Sequence, residues 1–439
     1  MRTIPQPESS SLSRFSLTPS ACCAGAVVCI GEAIHIRHGV YDSLALRWLA
    51  AGIILSWLGV TVSRASGAGL ALLIAVAGIA WDLVQDATDF PMPGVTDPHV
   101  SFYYQTIAIP AFIAAAAGAI LLNRYSRTVF VPLLLLTYFA SGVYLLRETK
   151  PPYIDVYEVS RDACEAMSRG VSPYAIDFPV YPERRFYPPG SVVNGRVKFG
   201  YPYTPLDLLF EYPAHLLTGD FRIGILLAMT AAAGFLAYGN SGPLPAAAAA
   251  LLLLTPEGYY SIQQGWVDPI VICALAFAVF CARRRMNWIG AALGLLLASK
   301  QDMLLCLPAA VYMLPQFLQW KQIRAMILTA AITTAPLALW NWPAFWHSAV
   351  VRHLTSPFRD DSLNFAAAWA KSGHAPPPDF LAFLLAAVAM LAMLRLPRSA
   401  NGFSFAVALV FLCFFAAAKQ AFCNYYIFII GALCCVIAS

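Results

Sequence analysis

The stretch that decides the fold is "TVFVPLLLLTYFASGVYLLRETKPPYIDVYEVSRDACEAMSRGVSPY", residues 128–174. An apolar run from 128 to 146 is followed by a proline pair, Pro151 and Pro152, and then by a segment with four carboxylates. As a helix the run can cross about 30 Å of hydrocarbon while satisfying its own backbone hydrogen bonds. The sequence therefore predicts a membrane-spanning helix followed directly by a polar segment at the membrane surface.

Similar apolar runs recur along the whole chain. Of its 439 residues, 59% are hydrophobic and only 12% are charged, and the mean hydropathy is +0.66, which excludes an ordinary soluble domain. We expect an all-α fold, a polytopic transmembrane helix bundle of about 12–14 spans. The candidate spans are 17–35, 44–62, 66–85, 106–123, 128–146, 222–238, 244–258, 267–282, 287–301, 303–318, 324–341, 379–395, 402–418 and 424–438.

The charges predict the orientation of these spans. Basic residues occupy alternate short loops that contain no Asp or Glu, as expected for cytoplasmic connections. The large polar segments 86–105, 147–221 and 342–378 then lie on the extracytoplasmic side. Long loops in a compact protein are usually functional. The Ala-rich and Leu-rich spans suit a bacterial plasma membrane. The basic loop residues are Arg64, Arg124, Arg127, Arg283, Arg284, Arg285, Lys321, Arg324, Arg395 and Arg398.

Other functional classes have little support in the composition. The 11 cysteines lie mostly inside apolar runs, where cysteine behaves as a small hydrophobic residue, so no disulfide framework is expected. The net charge of +5 comes without a basic block interleaved with aromatic residues, so nucleic acid is not an expected partner. Scattered histidines give no spacing typical of a zinc site.

The four carboxylates after the first quoted span form a stripe at helical spacing. Asp155, Glu158, Asp162 and Glu165, called the acidic stripe below, alternate with an apolar stripe on the opposite face. The pattern predicts an amphipathic helix at the membrane surface, with the acidic stripe facing either bulk water or a cavity. A solvated surface face remains an alternative interpretation.

A second amphipathic segment, "YPYTPLDLLFEYPAHLLTGDF" at 201–221, lies at the other end of the same external loop. Its apolar side contains Leu206, Leu209, Phe210, Leu216 and Leu217. Two juxtamembrane helices in one loop form a platform that suits an enzyme acting on a lipid head group. A membrane-interface aromatic belt explains the tyrosines but not the carboxylates.

Four motifs together resemble a known family. They are "IDVYEVSRDACEAMSRGVSPY", "YPYTPL", "YYSIQQGWVDPIVICALAF" and "ASKQDMLLCLPAA", and they follow one another on the same predicted side of the membrane. In this order the chain resembles the integral-membrane GT-C glycosyltransferases, in particular the mannosyltransferase-like glycosyltransferase 87 type. The resemblance covers roughly 128–438, so we divide the chain into N-terminal helices of unknown role, 1–125, and a GT-C-like core, 126–439, whose external loop is 147–221.

The resemblance implies a transferase that uses a polyprenyl-phosphate sugar as donor. It implies transfer of a hexose or pentose, with inversion, to a lipid or glycan acceptor on the extracytoplasmic face. Asp155 takes the role of general base, with Glu158 and Asp162 as secondary acidic residues; a carboxylate at hydrogen-bond distance can accept the acceptor's hydroxyl proton. Asp155 and Glu158 also have the oxygen ligands that a divalent cation prefers. Because the resembled enzymes generally work without one, no cofactor and no obligatory metal are expected.

The same reaction needs cations for the leaving phosphate and polar groups for the sugar. The cation candidates have alternative explanations as side chains that extend to the membrane interface or, for Arg359, as a local ion pair. The polar groups of "SIQQGWVDP" have an alternative role as a helix cap. The donor-phosphate candidates are Lys300, Lys419, Arg184, Arg185 and Arg359, and the sugar-binding candidates are Gln263, Gln264, Trp266, Asp268 and Tyr203.

Two functions of other classes remain open. A multi-span transporter or lipid flippase needs neither an acceptor nor a general base, but such proteins tend to have repeated halves and charges near the membrane midplane. In this chain most charges lie towards helix ends. A structural membrane subunit is the third class, although it has no need for a long external loop with an acidic stripe.

Overall fold

The computed structural model of the chain describes residues 16–62, 68–89, 92, 95, 97–122, 124–180, 186–313 and 319–439. Nearly all regular structure in these ranges is helical, as expected for an all-α fold. The helices are α1 Pro19–His35, α2 Ser43–Thr61, α3 Gly69–Thr88, α4 Pro98–Tyr103, α5 Ile109–Leu121, α6 Val131–Glu148, α7 Asp155–Ser168, α8 Pro205–Thr218, α9 Arg222–Gly239, α10 Pro243–Leu254, α11 Gly258–Gln263, α12 Asp268–Arg283, α13 Ile289–Leu297, α14 Trp320–Trp340, α15 Trp342–Trp346, α16 Arg352–Thr355, α17 Phe365–Lys371, α18 Phe380–Met393, α19 Ala400–Ala417 and α20 Cys423–Ile437.

Several of these helices are continued by turns of other helical types. Five-residue π-helical segments precede α5 and α6 and follow α15, and a 3-10 helix, Gln301–Met313, follows α13. Within the described residues, seven helical segments are long and apolar enough to cross a membrane, and five more apolar helices have 10–17 residues. The predicted polytopic helix bundle is therefore confirmed, and each candidate span overlaps a helix in the described residues.

The helices differ in how far they are enclosed by the others. Most of α19, 72% of its apolar window, is buried inside the bundle, whereas only 17% of the window of α14 is buried. Leucine, isoleucine and tryptophan side chains of α14 therefore remain on the surface of the protein. A helix that is apolar all round yet exposed fits contact with lipid rather than with water.

The ends of the bundle separate the two sets of loops. At one end Arg283 donates to the carbonyl of Ala438 at 3.1 Å, and Arg127 donates to the carbonyl of Tyr238 at 3.0 Å. At the other end the backbone N–H of Leu363 donates to the carbonyl of Ala421 at 3.0 Å. Among the described residues, the basic loops around Arg127 and Arg283 thus lie at one end, and the segments around Leu363 and Ala421 lie at the other, here called the polar end.

The long loop between α6 and α9 forms the largest structure at the polar end. It contains α7, α8 and a small antiparallel sheet, with strands β1 Phe178–Pro179, β2 Val192–Val193 and β3 Arg196–Val197 in the order β1-β3-β2. Val159 of α7 packs with the apolar side chains of this sheet, so the sheet and α7 share a small core of their own. Strands of two residues carry no readable alternation, which is why the sequence does not predict them.

The N-terminal helices are part of the same bundle. α1 packs against α20, and α3 packs against α10, within one continuous hydrophobic core. The turn after α1 also reaches the polar end, where the backbone N–H of Tyr41 donates to the carbonyl of Asp361 at 2.8 Å. Gly39 has a φ of +75°, and a Cβ there would lie 2.1 Å from the backbone nitrogen of Cys423, so only glycine fits this close approach.

Candidate functional site

The acidic stripe lies on α7, and its four carboxylates have different surroundings. Pro151 and Pro152 precede α7, and Asp155 is its first residue. One carboxylate oxygen of Asp155 accepts a hydrogen bond from the backbone N–H of Val156 at 2.9 Å, and the other lies 3.5 Å from the hydroxyl of Tyr187. The side chain is half-buried. Asp155 is therefore held at the start of the helix with part of its surface accessible.

The other three carboxylates of the acidic stripe pair with arginines of the same helix or its end. Arg161 contacts both Glu158 and Asp162, the latter at 2.8 Å, and Arg169 lies 3.6 Å from Glu165. Among the described residues, no comparable ion pair involves Asp155. The secondary acidic candidates Glu158 and Asp162 are thus arranged as a local surface network.

Arg222, in the first turn of α9, contacts both the start of α7 and the neighbouring helices. Its buried guanidinium lies 5.2 Å from the ring of Tyr157, pairs with Asp220 at 2.6 Å, and donates to the carbonyls of Leu146 and Gln263 at 3.3 and 3.4 Å. Arg222 thereby connects the end of α6, the first turn of α7 and the end of α11. No sequence pattern indicated a role for Arg222 in the site, because an arginine at a helix end has no distinctive spacing.

The candidates Lys300 and Asp268 meet in a buried ion pair. The amino group of Lys300 lies 2.9 Å from one oxygen of Asp268, and Asn424 donates to the other oxygen at 2.7 Å. The Lys300 amino group is also 4.6 Å from the centre of the Tyr425 ring. We call Lys300, Asp268, Asn424 and Tyr425 the Lys300 cluster. It joins the start of α12, the end of α13 and the start of α20.

The electrostatics of the Lys300 cluster favour a charged lysine. Burial by itself lowers the pKa of Lys300, but the carboxylates of Asp268 and Asp302 outweigh that effect and raise the pKa well above its usual value. A permanently charged ammonium group at this position has the chemistry needed to stabilise a phosphate oxygen. In this structure its nearest anionic partner is Asp268.

The motif "YPYTPL" lies against the Lys300 cluster. Gln301, next to Lys300, donates to the carbonyls of Pro202 and Ala349, both at 2.7 Å. His353 also donates to the Pro202 carbonyl at 2.8 Å, and burial together with Arg352 lowers the pKa of His353 to about 4, so its ring is neutral. These hydrogen bonds hold the backbone of the motif between the 3-10 helix and the segment that follows α14.

The sugar-binding candidates next to this motif are largely enclosed. Burial raises the pKa of Tyr203, although nearby Lys300 and Arg352 oppose the rise, so its hydroxyl is protonated. Trp266 is 8% exposed and packs edge-on against Tyr260, with ring centres 5.4 Å apart. Gln263 and Gln264 are buried as well. Only small parts of these side chains are open for contact with a ligand.

The segment from Gln263 to Asp268 links the Lys300 cluster with α7. Gly265 within it has a φ of +76°, and a Cβ there would lie 3.6 Å from the Cα of Tyr157. Three residues span at most roughly 11 Å, so the first turn of α7 and Asp268 lie close together. The segment therefore runs from the first turn of α7, which begins at Asp155, to Asp268, the partner of Lys300.

Two of the remaining cation candidates, Lys419 and Arg359, pair with other carboxylates. Lys419 pairs with Asp379 at 2.9 Å and donates to the carbonyl of Leu354 at 3.1 Å. Arg359 forms two 2.8 Å contacts with Asp361, which matches the local ion pair considered from the sequence. Lys419 and Lys300 were both predicted to bind the donor phosphate, but the structure does not bring the two into contact. Arg184 and Arg185 lie outside the described residues.

The sequence did not indicate two buried carboxylates on α8. Asp207 and Glu211 are both fully buried, and neither oxygen of Asp207 has a hydrogen-bond partner among the described residues. Glu211 accepts a hydrogen bond from Tyr201 at 3.1 Å through one oxygen only. Burial and the neighbouring Glu211 raise the pKa of Asp207, and burial raises the pKa of Glu211 to about 8 although Tyr201 opposes the rise. Glu211 is therefore largely protonated at neutral pH, and the pKa of Asp207 is shifted in the same direction.

The signal for these two acids is their spacing of four within an apolar segment, which places both on one helix face. Among the described residues, no group of three or more His, Cys, Asp or Glu side chains is arranged to hold a metal ion.

Comparison with known proteins gives no relative. No protein-family model matches the chain, and neither a curated protein nor a solved structure shows significant similarity to it.

Proposed function

We propose that the protein is a membrane glycosyltransferase that moves a sugar from a polyprenyl-phosphate donor to a hydroxyl of a lipid or glycan acceptor. The supporting observation is the short segment Gln263 to Asp268, which contacts the first turn of α7 and ends in the ion pair with Lys300. Asp155 at the start of α7 and the charged Lys300 next to Asp268 provide the two groups that this reaction needs.

In the proposed reaction the acceptor oxygen attacks the anomeric carbon of the donor sugar. The bond between that carbon and the phosphate oxygen breaks, and its electron pair leaves with the lipid phosphate. Asp155 accepts the proton of the acceptor hydroxyl. Lys300 stabilises the negative charge that develops on the phosphate. A single displacement of this kind inverts the configuration at the anomeric carbon.

Lys300 is paired with Asp268 in the structure, so phosphate binding requires the lysine to share or exchange this partner. Asn424 keeps one oxygen of Asp268 hydrogen-bonded in either case. Asp268 then holds the lysine in position and keeps it charged, while the phosphate approaches from the polar end. Asp268 is therefore a positioning residue rather than a sugar ligand in this proposal.

The test is transfer of label from a radiolabelled polyprenyl-phosphate hexose or pentose to a lipid or glycan extract by the purified protein. Asp155→Asn is expected to lower the rate about 10²–10⁴-fold, the range for loss of a general base. Glu148→Gln is a matched control, because Glu148 is an exposed carboxylate at the end of α6. If no label moves, or if Asp155→Asn transfers it as fast as the wild type, the proposal is wrong. Movement of intact labelled lipid across vesicles without transfer indicates a flippase instead.

A further inference from the structure

A large cavity lies beside the second half of α7, away from the Lys300 cluster. Its volume is about 690 Å³, within the range of roughly 300–1,000 Å³ that is typical of small-molecule sites. The cavity is bounded by α7, by the segment that contains the small sheet, and by the residues after α14. Asp162 and Glu165 of the acidic stripe line it. Part of the acidic stripe therefore faces a cavity, as one of the two sequence interpretations expected.

The cavity is lined by equal numbers of acidic and basic side chains. Three carboxylates and three cations line it, namely Asp162, Glu165, Asp177, Arg169, Arg196 and Lys198. They are also interleaved, because Asp177 lies 2.5 Å from both Arg196 and Lys198, and Glu165 pairs with Arg169. Hydrogen bonds from Lys198 and Arg196 lower the pKa of Asp177, so it stays charged.

This lining favours one class of ligand. Three carboxylates repel a strongly anionic ligand, and three positive groups repel a strongly cationic one. Neither kind of ligand therefore gains much electrostatic free energy by binding in the cavity. A neutral ligand rich in hydroxyl groups can donate hydrogen bonds to the carboxylates and accept them from the arginines and the lysine. Hydrogen bonds to charged partners are the stronger kind.

The floor of the cavity is held by internal hydrogen bonds. Ser348 accepts a hydrogen bond from the backbone N–H of Gly200 at 2.9 Å and donates to the carbonyl of Tyr174 at 3.2 Å. Arg352 lies 4.4 Å from the centre of the Phe199 ring, which also lines the cavity. A site that is fixed before the ligand arrives loses less entropy on binding.

The cavity and Asp155 lie along the same helix face. Asp155 and Asp162 are seven residues apart, which is about two turns and about 10 Å along α7. We propose that the cavity binds a neutral carbohydrate portion of the acceptor, with the hydroxyl that reacts lying further along α7 at Asp155. This inference rests on the proposed transferase function and adds the substrate class for the acceptor.

The experiment measures binding of soluble neutral di- and trisaccharides, and of the matching sugar phosphates, to the purified full-length protein. Ala175→Trp fills the cavity, because Ala175 lines it and is exposed, so that the larger side chain does not disturb the core. Ala375→Trp is the matched control on the exposed segment before α18. We expect a neutral saccharide to bind, with Kd raised at least about tenfold by Ala175→Trp and by Asp162→Asn, and unchanged by Ala375→Trp.

Asp155→Asn separates this inference from the proposed function. It should leave saccharide binding unchanged while it lowers transfer, so binding without any transfer by the wild type supports the cavity and contradicts only the transferase. Glycolipids with the same head group, presented in nanodiscs, test whether the lipid part adds affinity. The inference is overturned if no neutral saccharide binds, if only the sugar phosphates bind, or if Ala175→Trp leaves both the Kd and the acceptor KM of an active transferase unchanged.

Discussion

The two amphipathic helices of the long loop between α6 and α9, α7 and α8, have the same length of 14 residues and opposite orientations. On α7 the carboxylates of the acidic stripe face outward, where arginines pair with three of them. On α8 the carboxylates Asp207 and Glu211 face the interior, and Leu217 is 85% exposed. Helical periodicity therefore identifies the two faces of an amphipathic helix but does not tell which of them the protein buries.

The surroundings of the two helices account for this difference. α7 packs its apolar face on the small sheet and on neighbouring helices, so its charged face is left for water or the cavity. The exposed leucines of α8, Leu209, Leu216 and Leu217, suit a helix that lies against lipid. When lipid is the solvent on one side, leucine gains nothing by facing inward, and polar groups move to the protein side.

The largest expected decrease in stability comes from removing one member of the buried ion pair that lies next to α8. Lys300→Met removes the partner of Asp268 and leaves a buried carboxylate uncompensated, which should lower the free energy of unfolding by about 3–5 kcal/mol. Thermal unfolding of the purified protein, followed by tryptophan fluorescence, measures the change. Arg161→Met on α7 is the comparison, since a partly exposed pair contributes only about 0–1 kcal/mol.

A double substitution sharpens this prediction. Lys300→Met with Asp268→Leu removes both charges, so it should recover much of the stability lost in Lys300→Met. Equal losses for Lys300→Met and Arg161→Met contradict the difference between the buried cluster and the surface network.

The next effect is a pH dependence of stability that we expect from α8 and not from α7. Burial raises the pKa of Glu211 from its usual value of 4.5 to about 8, so the unfolded chain releases this proton at a lower pH than the folded protein does. The stabilising contribution of Glu211 is complete below about pH 4.5, falls as the pH rises to about 8, and is constant above that. Unfolding measured across this range should therefore show stability decreasing with pH.

Variants of the two buried acids test this assignment. Glu211→Gln stays neutral and should reduce the slope of stability against pH, and Glu211→Gln with Asp207→Asn should reduce it further, because burial also raises the pKa of Asp207. Glu165→Gln on α7 should leave the slope as in the wild type. A slope unchanged by both α8 variants means that other groups cause it.

The smallest effect on stability is expected from labels on the outer faces. Leu217→Cys on α8 and Glu165→Cys on α7 both change exposed side chains, so the free energy of unfolding should change by less than about 0.5 kcal/mol. A spin label at 217 should collide with oxygen dissolved in lipid more than with a water-soluble relaxation agent, and a label at 165 should show the reverse. Equal water accessibility at both positions contradicts the lipid-facing orientation of α8.

Much of the candidate site was predictable, but not its connections. Lys300 and Asp268 were both selected from the sequence, each for a separate role, because they are polar residues at the ends of apolar helices. Their ion pair was not predictable, since 32 residues separate them and the turns between α12, α13 and α20 decide which ends meet. Lys419 has the same local features as Lys300, yet it pairs with Asp379 instead.

The sequence alone predicted the all-helical bundle, the position of the basic loops around Arg127 and Arg283 at one of its ends, and an amphipathic helix after the proline pair. These properties follow from local causes: apolar runs long enough for a bilayer, loop charges, and prolines that end a helix. Tertiary structure decided which polar side chains are enclosed, which of them pair, and that half of the acidic stripe lines a cavity. Those outcomes depend on contacts between segments that are distant in the sequence. The free energy of such contacts cannot be predicted from a local sequence pattern.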